Sequence, residues 1–155
     1  MKKIIFILLL VALLFSSHAY ASETALLDLR NKIFDESSQI KALMTTSKMP
    51  VLVNGLWDTS VIATLQLDAY FYMVGIFNSI PKGKAPAASL DFIINWLNLI
   101  KNTNLSNIKN IAALSGNAEA AIQSRVKILT SYFMDLSIKV NNEIDRVNLI
   151  KKTLK

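Results

Sequence analysis

The stretch from Asn117 to Lys155 limits what this chain can fold into more than any other. Ile122, Val126, Leu129, Phe133, Leu136, Val140, Ile144, Val147, Ile150 and Leu154 recur every three or four residues, with neither Pro nor Gly among them. That spacing predicts one long amphipathic helix. Gly116 closes whatever precedes it, Asn117 can cap the new helix, and Glu119 lies in its first turn. Lys151, Lys152 and Lys155 crowd the last turn, where cations suit the helix dipole. At 1.5 Å per residue such a helix runs roughly 55–60 Å. It cannot bury its stripe alone, so the preceding segments are expected to be shorter helices laid along it.

At the other end, Met1-Lys2-Lys3 leads into an apolar run from Ile4 to Phe15 and then Ser16-Ser17-His18-Ala19-Tyr20-Ala21. A positive start, an apolar middle and a small-x-small end make a secretory signal, with cleavage expected between Ala21 and Ser22. The apolar run is well short of the ~20 residues that span a bilayer. No Cys follows it, which excludes a lipid-anchored lipoprotein. The expectation is a bacterial Sec-type signal peptide over 1–21, and a periplasmic or secreted domain over 22–155.

Removing 1–21 also removes the only His, and the chain has no Cys. A disulfide framework, zinc sites of the N/S kind, His-ligated haem and Ser-His or Cys-His nucleophile pairs are therefore excluded from the mature chain. No cofactor is expected. Loss of Lys2 and Lys3 lowers the formal charge of +6 by two, and the remaining excess is scattered. That distribution argues against nucleic acid as a partner.

Between the two ends, Ser22 to Ser47 reads as a helix with Leu26, Leu29, Ile33, Ile40, Leu43 and Met44 on one face, interrupted at Glu36 and Ser37. Pro50 and Asn54-Gly55 mark a connection from about Lys48 to Trp57, with Val51-Leu52-Val53 as an apolar loop. Asp58-Thr59-Ser60 offers N-caps for a helix from Val61 to Ile80 that is apolar nearly all round, which predicts burial on every side. Gln66 and Asp68 near its middle argue against a transmembrane span. Gly75 suggests close approach of a neighbouring helix. Pro81 to Pro86 breaks the chain, Leu90 to Ile100 is a third helix expected to be largely buried, and Asn102 to Asn107 reads as a loop. Ser106 to Leu114 is a short additional helix. The fold class expected is all-α: a helical bundle of four main helices plus a short one, organised on the long C-terminal helix.

Acid–base work is the main chemistry left to such a chain. Glu36, Asp68 and Arg125 each border or interrupt an apolar face, and facing one another they would form a buried charge network. The same residues serve equally to hold helix register. A carboxylate-bridged metal centre would want Glu-x-x-His pairs, which are absent. Met44, Met49, Met73 and Met134 are scattered as core fillers are, rather than gathered as copper ligands would be. Trp57, Tyr70, Phe71, Tyr72, Phe77, Phe92, Trp96, Tyr132 and Phe133 fit either a core or an apolar ligand pocket. Asn104-Leu105-Ser106 matches a glycosylation sequon, read as chance in a bacterial chain.

With Leu129, Phe133, Leu136 and Val140 inward, Ser131, Asp135, Asn142 and Asp145 turn outward. Met134, Ile138 and Leu149 turn outward with them and form a candidate partner patch. The function expected is binding of another envelope or extracellular protein without enzymatic activity, with self-association as a variant of that role. The alternative is a carrier or sensor of an apolar small molecule held between the helices. A hydrolase using Glu36 and Asp68 is a third reading.

Overall fold

In the computed structural model, backbone is described for 2–81, 87–114, 116 and 118–153, and side chains for 22–81, 88–113, 116 and 118–153. Four helices follow in order: α1 (Lys2–Ala42), α2 (Pro50–Ser79), α3 (Ala87–Leu114) and α4 (Ala120–Thr153). No strand occurs among the described residues, so the fold is all-α. Backbone at the expected cleavage bond, Ala21–Ser22, is helical and continuous with the rest of α1.

Each helix buries a seam with alternating spacings of three and four, apart from one step of seven between Asn104 and Ile111 on α3. On α1 it is Leu26, Leu29, Ile33, Glu36 and Ile40; on α2, Val53, Leu56, Ser60, Ala63, Leu67, Tyr70 and Val74. On α3 it is Leu90, Ile93, Leu97, Ile100, Asn104 and Ile111; on α4, Ile122, Val126, Leu129, Phe133, Leu136, Val140, Glu143 and Val147. This is the period that lets long helices interlock side by side. α1 packs on α2 and α4, α3 packs on α4 and α2, and α2 and α4 face each other across the diagonal. Neighbours run antiparallel, as the pairs Ser22–Glu143 with Glu36–Arg125, and Arg30–Asp68 with Lys41–Trp57, show.

Several boundaries differ from those the sequence predicts. The segment expected as an apolar loop, Val51-Leu52-Val53, is the first turn of α2, with Val53 fully buried. Pro50 occupies the start of the helix, where its missing N–H is no loss and its fixed φ fits. The N–H groups just ahead of it are met by tertiary and local acceptors instead. Glu119 Oε1 accepts from Lys48 N at 2.8 Å, and Ser47 Oγ accepts from Met49 N at 2.9 Å. Thr59 and Ser60, expected as caps, lie inside the helix and donate back to Gly55 O and Trp57 O, both at 2.7 Å.

The expected loop at Asn102–Asn107 is also helical, so the third helix and the separate short one are a single α3. Asn104 points into the seam, where its amide donates to Phe133 O at 2.5 Å and Ser137 Oγ at 2.7 Å. Anchoring to α4 outweighs the turn preference of the asparagines. Asn117, the expected cap of α4, and Leu154 and Lys155 lie outside the described residues, as does 82–86 of the expected break. Glu119 stands just before α4 rather than in its first turn, and its carbonyl accepts from Gln123 N at 2.9 Å.

Neither α2 nor α3 is buried all round. Ile62, Leu65, Tyr72 and Ile76 on α2, and Phe92 and Leu99 on α3, are exposed. The physical reason is arithmetic: a helix with two close neighbours has no third surface to cover its outer side. Gly75 belongs to that outer side, and a Cβ added there meets nothing within 4 Å. Close helix approach does not explain it, and nothing in the structure requires glycine at that position.

Candidate functional site

Continuing the spacing of the α4 seam beyond Val140 lands on Glu143, whose side chain is 0 % exposed. Four donor bonds converge on its carboxylate from three helices. Tyr70 Oη on α2 donates to Oε1, and Ser22 Oγ on α1 donates to Oε2 at 2.8 Å. Arg146, one turn along α4, donates from Nε to Oε2 at 2.8 Å and from Nη2 to Oε1 at 2.5 Å. The same Nη2 reaches Glu23 Oε1 at 3.0 Å. A buried carboxylate is tolerable only when paired and hydrogen-bonded in this manner.

Electrostatics within the cluster run in consistent directions. Burial pushes the Tyr70 hydroxyl far above its ordinary range, and attraction of its proton to Glu143 adds to this, so the phenol stays a donor. Burial raises the Glu23 carboxyl, Arg146 opposes that rise, and repulsion from Glu143 adds to it. Burial works against the Arg146 charge, but hydrogen bonding and attraction from Glu143 outweigh it and raise the guanidinium further. With Glu143 fully covered and held by side chains of three helices, this geometry ties those helices together.

The expected network of Glu36, Asp68 and Arg125 is divided. Glu36 and Arg125 do meet, at 3.2 Å across the α1–α4 seam. Burial raises the Glu36 carboxyl, and Arg125 pulls it back in part. Asp68 turns instead to Arg30 in a two-pronged pair, Nε–Oδ1 and Nη2–Oδ2 both at 2.8 Å, on the rim of α1 and α2. The hydrolase reading that joined Glu36 and Asp68 loses its geometry. Among the described residues no three His, Cys, Asp or Glu side chains gather as a metal site.

The outward-facing positions of α4 fall as the spacing predicts: Met134, Ile138 and Leu149 are exposed. A longer apolar line lies on α2, where Ile62, Leu65, Tyr72 and Ile76 are 47, 60, 73 and 49 % exposed, with Ala69 between them. Two open apolar grooves flank the α2–α3 contact. One, of about 400 Å³, is lined by Met73, Ile76, Phe77, Ile80, Phe92 and Ile93. The other, of about 600 Å³, is lined by Met49, Pro50, Leu52, Leu56 and Ile111, with Lys48 at its edge. By length and composition α2 passes as a helix able to cross a membrane, with a third of its apolar window buried.

The chain matches no known family model, no curated protein sequence and no solved structure.

Proposed function

We propose that this chain is an exported, non-enzymatic helical-bundle protein that works by binding another protein through the outer face of α2. The observation that carries the reading is the line Ile62, Leu65, Ala69, Tyr72 and Ile76, which repeats the spacing of a core seam and leaves its four large apolar side chains exposed. Its natural occupant is an amphipathic helix of an envelope or extracellular protein, laid along α2 with matching apolar spacing. The candidate patch on α4 is weaker, because Asn142 and Asp145 lie between Ile138 and Leu149. Gln66 and the ion-paired Asp68 support a helix in water rather than in a bilayer.

Leu65→Asp combined with Tyr72→Asp tests this reading. Partner binding is expected to disappear while helicity and melting temperature stay nearly unchanged. Unfolding of that double variant, or undiminished binding, overturns it, and a concentration-dependent dimer lost in the variant would identify the partner as a second copy. Export is tested separately by the intact mass of envelope-derived protein, expected to begin at Ser22.

The groove with Lys48 at its edge favours a second reading, a carrier of an amphiphile with an acidic head and an apolar tail. Native mass spectrometry after incubation with a long-chain fatty acid is the test. Bound mass that disappears in a still-folded Leu52→Asp supports the carrier; none at a large excess of ligand ends it.

A further inference from the structure

Ser22 is at once the residue that follows the expected cleavage bond and one of the donors to Glu143. We propose that the Glu143 cluster is the docking site for the chain's own amino terminus, the ammonium that cleavage at Ala21–Ser22 creates. This rests on the export reading. Hydrolysis adds water across that peptide bond; the departing segment keeps a carboxylate on Ala21, and Ser22 becomes an α-ammonium with three donors.

Three observations point to this occupant. The first is position: Ser22 Oγ lies 2.8 Å from Glu143 Oε2. The nitrogen of the same residue is three bonds from Oγ, which puts it within ~6.5 Å of that carboxylate. The second is charge. Glu23 and Glu143 share the single guanidinium of Arg146, and the remaining members, Tyr70 and Ser22, are neutral hydroxyls, so the cluster is one positive charge short. Burial holds the Glu23 carboxyl above its ordinary range, with Arg146 opposing and repulsion from Glu143 adding to the rise. The third is the helix end. An ammonium on the first residue of a helix opposes the helix dipole. Here Glu23 in the new first turn and Glu143 from α4 both offset it, so the processed α1 starts where compensation is already built.

Maturation then does more than release the leader. It adds a charged contact at the start of α1, where the uncleaved chain has an amide and holds on through the Ser22 hydroxyl and the Glu23–Arg146 pair. Groups facing the new ammonium are Glu23 of α1, Tyr70 of α2, and Glu143 and Arg146 of α4. The free α-amine titrates near 7.7–8.0, and neighbouring carboxylates raise it in the fold. Its stabilisation is therefore complete below about pH 7.7 and is lost as pH rises through the raised value.

The test uses the full chain with residues 16–21 replaced by a site-specific protease sequence ending immediately before Ser22. The protein is folded intact and then cut, and half of the cut sample is acetylated selectively at the α-amine. At pH 6.5 the free-amine form is expected to melt ~4 °C above the acetylated form. That gap should close at pH 10 and should shrink in Glu23→Gln, a variant that keeps Glu143 and all of its donors. Equal melting of free and acetylated forms at pH 6.5 overturns the proposal, as does a gap that persists unchanged at pH 10. Because the cut is made in vitro, a negative result here is separate from a failure of export, which the intact mass of envelope protein decides.

Discussion

Two glutamates occupy equivalent places in the packing, Glu36 on the α1 seam and Glu143 on the α4 seam, and their surroundings differ sharply. Glu143 is met by Tyr70, Ser22 and both reaching nitrogens of Arg146, with donors from three helices. Among the described residues Glu36 has Arg125 alone, at 3.2 Å and with 31 % of the arginine side chain open to water. The difference teaches that burial of a carboxylate does not by itself say what it does. Donors from three helices make Glu143 a register pin, because sliding any one of them breaks a bond that nothing else replaces. A single half-open partner makes Glu36 a tolerated charge, since Arg125 can turn to solvent when the carboxylate is gone.

Glu143→Ala attacks that comparison most directly. It leaves Tyr70 without its acceptor and Arg146 with Glu23 alone, and the expected loss is about 3–5 kcal/mol in urea-induced unfolding. A loss below about 1 kcal/mol would mean that water replaces the carboxylate and the pin does not exist. Tyr70→Phe removes one donor and keeps the ring, with an expected cost of about 1–3 kcal/mol by the same measurement. Glu36→Ala is expected to cost less than about 1 kcal/mol, because its pair is single and half-open. If it matches Glu143→Ala, the two layers are alike and the contrast fails.

The smallest effect is a pH dependence. The Glu36 carboxyl is raised by burial, with Arg125 opposing, so its contribution to stability is complete below its unfolded value and declines as pH rises through the folded one. Glu36→Gln imitates the protonated acid at every pH. Relative to the parent, its melting temperature should be level near pH 4 and should rise toward pH 7. A relative fall over that interval would show Arg125 to be the stronger influence on Glu36.

Apolar spacing alone carried the all-α class and most of the buried seam of α4, because a stripe with this period can be hidden only by other helices. It also placed Met134, Ile138 and Leu149 outward, since one buried face dictates its opposite. Glu36 and Arg125 stood out as charges beside apolar faces, and they meet. Asp68 stood out equally, but its partner Arg30 sits at a partly buried edge that no seam marks.

Apolar spacing on α4 continues at Ile144, whereas strict alternation of threes and fours arrives one residue earlier, at the Glu143 carboxylate. That alternation is the signal that could have found it. Two of its donors could not have been found in this way, for Ser22, Tyr70 and Glu143 are far apart in the chain and are joined only by the packing of three helices. Local preference likewise misplaced the starts and joins. Pro50, Val51 to Val53 and Asn102 to Asn107 read as breaks until α4 is present to accept from Asn104 and its leading Glu119 to hold Lys48. What the sequence determined by itself is the set of faces that must be hidden, because hydrophobic period is a property of each segment. Which polar groups meet inside, and which apolar faces stay uncovered, was decided only by tertiary structure, because both depend on what the neighbouring helix brings.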